Sequence, residues 1–138
     1  MRLQLALNVA DLDEAVDFYS RLFGTEPAKT RPGYANFAIA DPPLKLVLFE
    51  DAGDPGSINH LGVETDSAAQ VVEAESRLSD AGLRTTGVDD TMCCYAEKTE
   101  TWVQDPDGQR WEWYVKTGDS EQLTNIVVSG PGGGCCSS

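Results

Sequence analysis

Cysteine occurs four times in this chain, as two adjacent pairs, Cys93-Cys94 and Cys135-Cys136. Neighbouring side chains on a strand point to opposite faces. Two adjacent thiols therefore reach one atom only where the backbone is irregular. Joined to each other they would close a small strained ring, far from relaxed disulfide geometry. Joined to one soft, thiophilic atom they form a two-point clamp. The bland alternative is a pair of small buried hydrophobes, the commonest fate of a free cysteine. The C-x-x-C spacing of a structural zinc site is missing.

A second set of residues could do chemistry of another kind. His60 is the single histidine of the chain, and it lies on an apolar stretch, Ile58 to Val63. Glu112 lies in Arg110-Trp111-Glu112-Trp113-Tyr114. Alternation puts Glu112 and Tyr114 on one face of a strand and the two tryptophans on the other. A carboxylate on an interior face is costly to bury unless it is paired or binds a metal; in the opposite orientation the tryptophans face the core and Glu112 faces solvent. Gln4 completes the set. Amide oxygen, imidazole and carboxylate suit Fe(II), Mn(II), Ni(II) or Zn(II), and they are similar to the facial triad of non-haem iron enzymes with one histidine replaced by glutamine. Three protein ligands leave coordination positions open, as a catalytic site requires.

The elements that must position these residues come from an internal repeat. Residues 2–24 and 58–82 align at an offset of 56, which superposes Ser20-Arg21-Leu22 on Ser76-Arg77-Leu78. The same offset places Asp11 on Ser67 and Glu14 on Gln70, two helix-start signals. It also places Gln4 on His60. Each half is thus expected to open with a strand, cap a helix at the same point and carry one ligand at the same strand position. In the first half the pattern predicts a strand over 2–9 and a helix over 12–23 with an apolar stripe of Leu12, Val16, Tyr19 and Leu22-Phe23, ended by Gly24. Strands near 26–30, 34–40 and 44–49 follow, and Asp51 to Ser57 is the linker. In the second half a strand over 58–65 and a helix over 68–81 precede strands near 84–88, 95–104 and 109–116. Asp105-Pro106-Asp107-Gly108 is the turn between the last two. The expected fold is α+β: two tandem βαβββ units, about 1–50 and 58–116, in one domain over 1–116 that forms an open, barrel-like metal cleft.

Composition bounds the rest. Of 138 residues 41% are hydrophobic, enough for an ordinary core, and the net charge is -13. That charge argues against nucleic acid and against anionic membrane surfaces. Met1 to Leu12 shows neither a signal peptide nor a membrane span. The expected location is the cytoplasm, where thiols stay reduced.

The pieces Gln4 to Val9, Asp11-Leu12 through Phe18-Tyr19, Asn59-His60-Leu61 and Asp105 to Glu112 resemble the vicinal oxygen chelate superfamily, which includes glyoxalase I, extradiol dioxygenases and fosfomycin-resistance proteins. Within it the chain looks like the carbon–arsenic lyases that degrade trivalent organoarsenicals and the related cadmium-induced proteins. The glutamine on the first strand, the Cys93-Cys94 pair and the cysteine-bearing tail carry this. The resemblance implies Fe(II) at Gln4, His60 and Glu112, with Mn(II), Ni(II) or Zn(II) possible in isolated protein. It implies that Cys93 and Cys94 hold the arsenic of methylarsonous acid or an aromatic arsenical, and that O2 is the co-substrate. Glyoxalases use a fourth ligand, a glutamate, on the last strand of the first unit. By strand position that place falls near Leu46, in an apolar run.

Tyr95 and Lys98 follow the cysteine pair and could contact a polar substituent of the substrate; a solvent-facing strand position is the plain alternative for both. Asn8 and Asn36 are further candidate polar residues of the cleft. Thr117 to Ser138 reads as a flexible arm, with four glycines and a proline ahead of Cys135-Cys136, a pair that either handles metalloid or is inert. Two other functions compete: a non-catalytic Cd(II)- or As(III)-binding resistance protein, and another metalloenzyme of the superfamily. Both a monomer and a homodimer fit the sequence.

Overall fold

The computed structural model describes residues 1–93, 95–119 and 126–129. The elements run β1 (Arg2–Val9), α1 (Leu12–Phe23), β2 (Lys29–Arg31), β3 (Tyr34–Ile39), β4 (Leu44–Glu50), β5 (Ile58–Glu64), α2 (Ala68–Asp80), β6 (Asp89–Cys93), β7 (Ala96–Gln104), β8 (Arg110–Asp119) and β9 (Ile126–Ser129). This is the expected α+β chain of two successive βαβββ units, with one further strand. Contacts divide it into compact units at Leu61 and Gly62.

Both helices start where the repeat placed them. The Asp11 carboxylate accepts from the Glu14 N–H at 3.0 Å, and the Ser67 hydroxyl accepts from the Gln70 N–H at 3.3 Å. Gln70 in turn accepts from the Asp66 N–H at 2.7 Å. Each cap answers a backbone donor that the first helical turn leaves without an internal acceptor. Gly24 ends α1 in the left-handed region at φ 64°, where a Cβ would be strained.

In the first unit the strand order is β2-β3-β4-β1-β5. β1 and β4 are parallel, with Leu5 beside Leu46 and Leu7 beside Leu48. These side chains share the helix-covered face. Phe37, Ile39, Leu46 and Leu48 are buried there against Leu5, Leu7 and Val9 and against Leu12, Ala15, Val16, Tyr19 and Phe23 of the helix. The register therefore corrects one expectation. Leu46 lies on the helix side, and the β4 residues sharing a face with Gln4 are Lys45, Val47 and Phe49. None of these is a carboxylate, so the expectation of no fourth ligand on this strand rests on Val47 and Phe49 instead of Leu46.

In the second unit the order is β5-β8-β7-β6-β9. The turn at Asp105 to Gly108 forms as expected. The Asp105 carboxylate accepts from the Asp107 and Gln109 N–H groups, each at 2.9 Å, and Gly108 takes φ 88°. It fixes the hairpin register at Trp102 opposite Glu112 and Glu100 opposite Tyr114. Helix α2 buries Val71, Ala74 and Leu78, and Arg77 lies 5.8 Å over the Trp113 ring.

Two expectations differ here. No strand runs over 84–88: Gly82 and Gly87 have φ of 83° and 78°, and Thr85 makes a single bridge to Val103. The strand is β6, hidden in the sequence by Asp89-Asp90, a pair with poor strand propensity. It is held by cross-strand side-chain bonds, Thr99 Oγ1 to Asp90 at 2.7 Å and Thr91 Oγ1 to Glu100 at 2.9 Å. In addition, β8 runs past Lys116 to Asp119, and Ile126–Ser129 pairs antiparallel with β6, where a flexible arm was expected. Cys135 and Cys136 lie outside the described residues.

If the paired caps anchor the repeat, Asp11→Ala and Ser67→Ala should each cost about 1 kcal/mol of stability, read as the shift in urea unfolding midpoint. Leu22→Ala, at an exposed position of α1, should change it by less than about 0.5 kcal/mol.

Candidate functional site

In the first unit the sheet face away from α1 carries polar side chains that are nonetheless buried. Gln4, Asn8, Asn36 and His60 are all under 8% exposed. Period-2 alternation puts Gln4, Ala6 and Asn8 together on β1, and β5 turns His60 toward Gln4. The amide nitrogen of Gln4 lies 3.1 Å from His60 Nε2. The other ring nitrogen, Nδ1, lies 2.8 Å from Asn59 Oδ1. Asn59 donates through Nδ2 to Asn8 Oδ1 at 3.0 Å, and Asn8 donates to Ser57 Oγ at 2.9 Å. Asn36 donates to the Tyr34 hydroxyl at 2.8 Å. The sequence offset that superposed Gln4 on His60 therefore identified two residues in direct contact.

The second unit buries charge on the corresponding face. Glu100 and Glu112 are both 0% exposed. Lys98 Nζ stands 3.7 Å from Glu112 Oε1 and 4.6 Å over the Tyr114 ring. Tyr114 donates its hydroxyl to Glu64 at 3.1 Å. Burial, the negative charge of Glu112 and a hydrogen bond with it push the Glu100 carboxyl up to about 9; Lys98 and the Thr91 hydroxyl oppose this. Glu100 thus holds its proton at neutral pH. Burial also pulls the Arg110 guanidinium below its ordinary value, with Glu112 opposing.

Strand β6 ends at Cys93, which pairs with Ala96 at the start of β7. Tyr95 is 8% exposed and takes φ 61°, a left-handed conformation that is costly for a bulky residue. Cys94 lies outside the described residues. Tyr95 and Lys98 are both buried, and Lys98 is placed against Glu112.

The donor set can be tested against the metal that the resemblance implies. No group of three or more His, Cys, Asp or Glu side chains converges among the described residues, so the fit depends on the Gln4 amide. A half-turn of that amide exchanges its nitrogen and oxygen with almost no change in shape. It would set a second lone-pair donor beside His60 Nε2. A separation near 3.1 Å is also about that of adjacent ligands whose bonds to one ion are about 2.1 Å. Glu112, in the other compact unit, is a buried carboxylate, a residue type that would add an anionic oxygen. These residue types fit a divalent ion of the iron-to-zinc series.

Sequence reasoning missed Glu100, Asn59 and Ser57. Glu100 was accessible: the Asp105 to Gly108 turn sets the register, which puts Glu100 two residues from the partner of Glu112 and on its face. Asn59 and Ser57 carried no such signal, because their role depends on side-chain bonds across β1 and β5.

The chain matches the model of the Glyoxalase/Bleomycin resistance protein/Dioxygenase superfamily over residues 3–113. It is 53% identical over 136 residues to a trivalent organoarsenical cleaving enzyme from Thermomonospora curvata, covering 98% of this chain and 87% of that one. It is 52% identical over 140 residues to the cadmium-induced protein CadI of Mycobacterium bovis, covering 98% and 92%. The 2,3-dioxygenase LapB from Pseudomonas sp. KL28 superposes with a TM-score of 0.65 at 21% identity, over 86% of this chain and 42% of that one.

Glu100 generates a pH prediction for the metal-free protein. Its carboxyl is raised from 4.5 to about 9 on folding. The folded state therefore holds a proton that the unfolded chain releases, and the stability this gives is complete below pH 4.5 and lost as pH rises toward 9. Glu100→Gln removes the effect. Between pH 6 and pH 8.5 the urea midpoint of the parent should fall relative to that of the variant, and equal shifts would show that Glu100 is not protonated.

Proposed function

This chain belongs to the Glyoxalase/Bleomycin resistance protein/Dioxygenase superfamily, and from that premise we propose that it cleaves the carbon–arsenic bond of trivalent organoarsenicals. The observation that carries the reading is identity of 53% across nearly the whole chain with an enzyme named for that reaction, joined to a buried Gln4–His60 donor pair. Gln4, His60 and Glu112 are the proposed ligands of Fe(II), and the same donor set can take Mn(II), Ni(II) or Zn(II) in isolated protein. The bound ion supplies O2 activation.

The chain's own residues do the remainder. Cys93 and Cys94, as thiolates, displace the two hydroxyls of the arsenical, since soft sulfur outcompetes oxygen for As(III). Two-point attachment fixes the direction of the As–C bond and removes rotational freedom from the reactant. Glu112 is the anionic ligand, while Gln4 and His60 are neutral. Lys98 holds the Glu112 carboxylate by charge, and Tyr95 stands beside the cysteines as a substituent contact. For a methyl group the balance is methylarsonous acid plus O2 giving arsenous acid plus formaldehyde. The As–C bond breaks, arsenic stays trivalent, and the carbon supplies the electrons that reduce O2. The catalytic domain works in the cytoplasm and includes the whole of β8 to Asp119 and the strand Ile126–Ser129 paired with β6, and Cys135-Cys136 either handles metalloid or is inert.

A second reading has support in the cadmium-induced relative: stoichiometric capture of Cd(II) or As(III) by the thiols without turnover. One experiment separates the two. Protein loaded anaerobically with Fe(II) and then given air and methylarsonous acid should release arsenite over many turnovers. His60→Ala and Glu112→Ala should bind Fe(II) at least about tenfold more weakly and lose turnover. Cys93→Ser and Cys94→Ser should keep the iron and lose about a hundredfold or more in rate. Wild-type rates in either cysteine variant would end the clamp assignment, and uptake of arsenic without arsenite release would favour capture.

A further inference from the structure

We infer that Ser57, Asn8 and Asn59 form a one-way hydrogen-bond chain that fixes the tautomer of His60, leaving the lone pair on Nε2. The inference goes beyond the ligand assignment above and rests on it only where metal affinity is concerned.

The direction of the chain is set at its outer end. Ser57 Oγ approaches the backbone carbonyl of Asp54 at 2.5 Å. A carbonyl can only accept, so the Ser57 proton is committed to it. Ser57 Oγ then meets the Asn8 side chain as an acceptor, and the nearby atom of Asn8 is Nδ2. This orients the Asn8 amide, which presents Oδ1 to Asn59. Asn59 must answer with Nδ2, which leaves Asn59 Oδ1 for the ring. An acceptor 2.8 Å from Nδ1 calls for a proton on Nδ1. Nε2, the nitrogen facing Gln4, carries the lone pair. An imidazole ligand is commonly held by an acceptor on its other nitrogen; here that acceptor is an amide whose orientation is inherited from a main-chain carbonyl.

The Asn8 main chain is held in place beside Ser57, and its side-chain amide is oriented by Ser57 Oγ and Asn59. Its backbone N–H donates to Ser57 O at 2.9 Å and its carbonyl accepts from the Gly56 N–H at 2.8 Å. A Cβ on Gly53 would come 2.7 Å from Asn8 Nδ2, so the linker closes over the amide only because residue 53 has no side chain. Asn8 itself is 5% exposed, with little access to water that could substitute for a lost partner. Asn59 and Ser57 are positioning residues by this account.

Because His60 is the single histidine, its ring nitrogens can be read without ambiguity. Metal-free protein labelled with 15N-histidine, at a pH where the ring is neutral, should show a protonated Nδ1 and a pyridine-type Nε2. Asn59→Leu should give a mixture of tautomers. Asn59→Asp, which still accepts from Nδ1, should restore the parent pattern. Gly53→Val, which acts only by displacing the Asn8 amide, should scramble the ring as Asn59→Leu does while the backbone amide spectrum stays folded. Mn(II) affinity, measured by electron paramagnetic resonance, should fall about tenfold in Asn59→Leu and recover in Asn59→Asp. A parent protein with its proton on Nε2, or tautomers unmoved by both Asn59→Leu and Gly53→Val, would overturn the chain. A parent that shows the expected tautomer but takes up no Mn(II) would uphold the chain and overturn the ligand assignment.

Discussion

A polar group out of reach of water must find a partner inside the protein or cost roughly 1–3 kcal/mol, and that constraint shapes both units of this chain. In each unit the helix covers an apolar face and supplies ordinary core burial. The opposite face is buried too, yet it carries Gln4, Asn8, Asn36 and His60 in the first unit and Lys98, Glu100 and Glu112 in the second. Such faces add nothing to stability that leucine or valine would not add more cheaply. Most of their members are answered inside the protein, through hydrogen bonds that run in connected sets, while Oε2 of Glu100 and of Glu112 has no hydrogen-bond partner among the described residues. The apolar side, Phe37, Ile39, Leu46 and Leu48 against α1, is what permits the polar side to exist.

Much of this was legible in the sequence because the determinants are local. Caps are read from a side chain and the residue three positions on, and Asp11 and Ser67 bind the N–H groups of Glu14 and Gln70. The Asp105 to Gly108 turn is likewise self-contained, and it sets the strand register on both sides. The Gln4–His60 contact is long-range, yet the repeat made it readable, since duplicated units place equivalent residues on equivalent strands. What escaped depends on neighbours. Asp89-Asp90 reads as loop by propensity, and only the partners Thr99 and Glu100 and the flanking strands β7 and β9 make it part of a sheet. Ile126–Ser129 is too short for periodicity to separate it from an arm. Asn59 looks like a spacer before the histidine, and its importance lies in which of its two amide atoms faces the ring.

The register also explains how a duplicated chain became chemically one-sided. On β4 the residues beside Gln4, Ala6 and Asn8 are Lys45, Val47 and Phe49, so the first unit contributes no carboxylate from its last strand. On β8 the interior face carries Glu112. The proposed ligand set therefore takes the neutral Gln4 from the first repeat, and the neutral His60 with the anionic Glu112 from the second. A buried anion raises the question of what balances it before any cation arrives. Lys98 is the answer for Glu112, with Nζ at 3.7 Å. Glu100 needs no second cation because burial and the adjacent charge keep its proton on. One lysine, one carboxylate and one carboxylic acid make a cluster with no net charge, which lets β7 and β8 pack with both glutamates fully buried. An apolar residue at 98 would remove the lysine charge from beside the buried Glu112. The strand that follows the cysteine pair thus also neutralises the proposed anionic ligand, through a lysine that the sequence offers as a substrate contact or a solvent-facing residue.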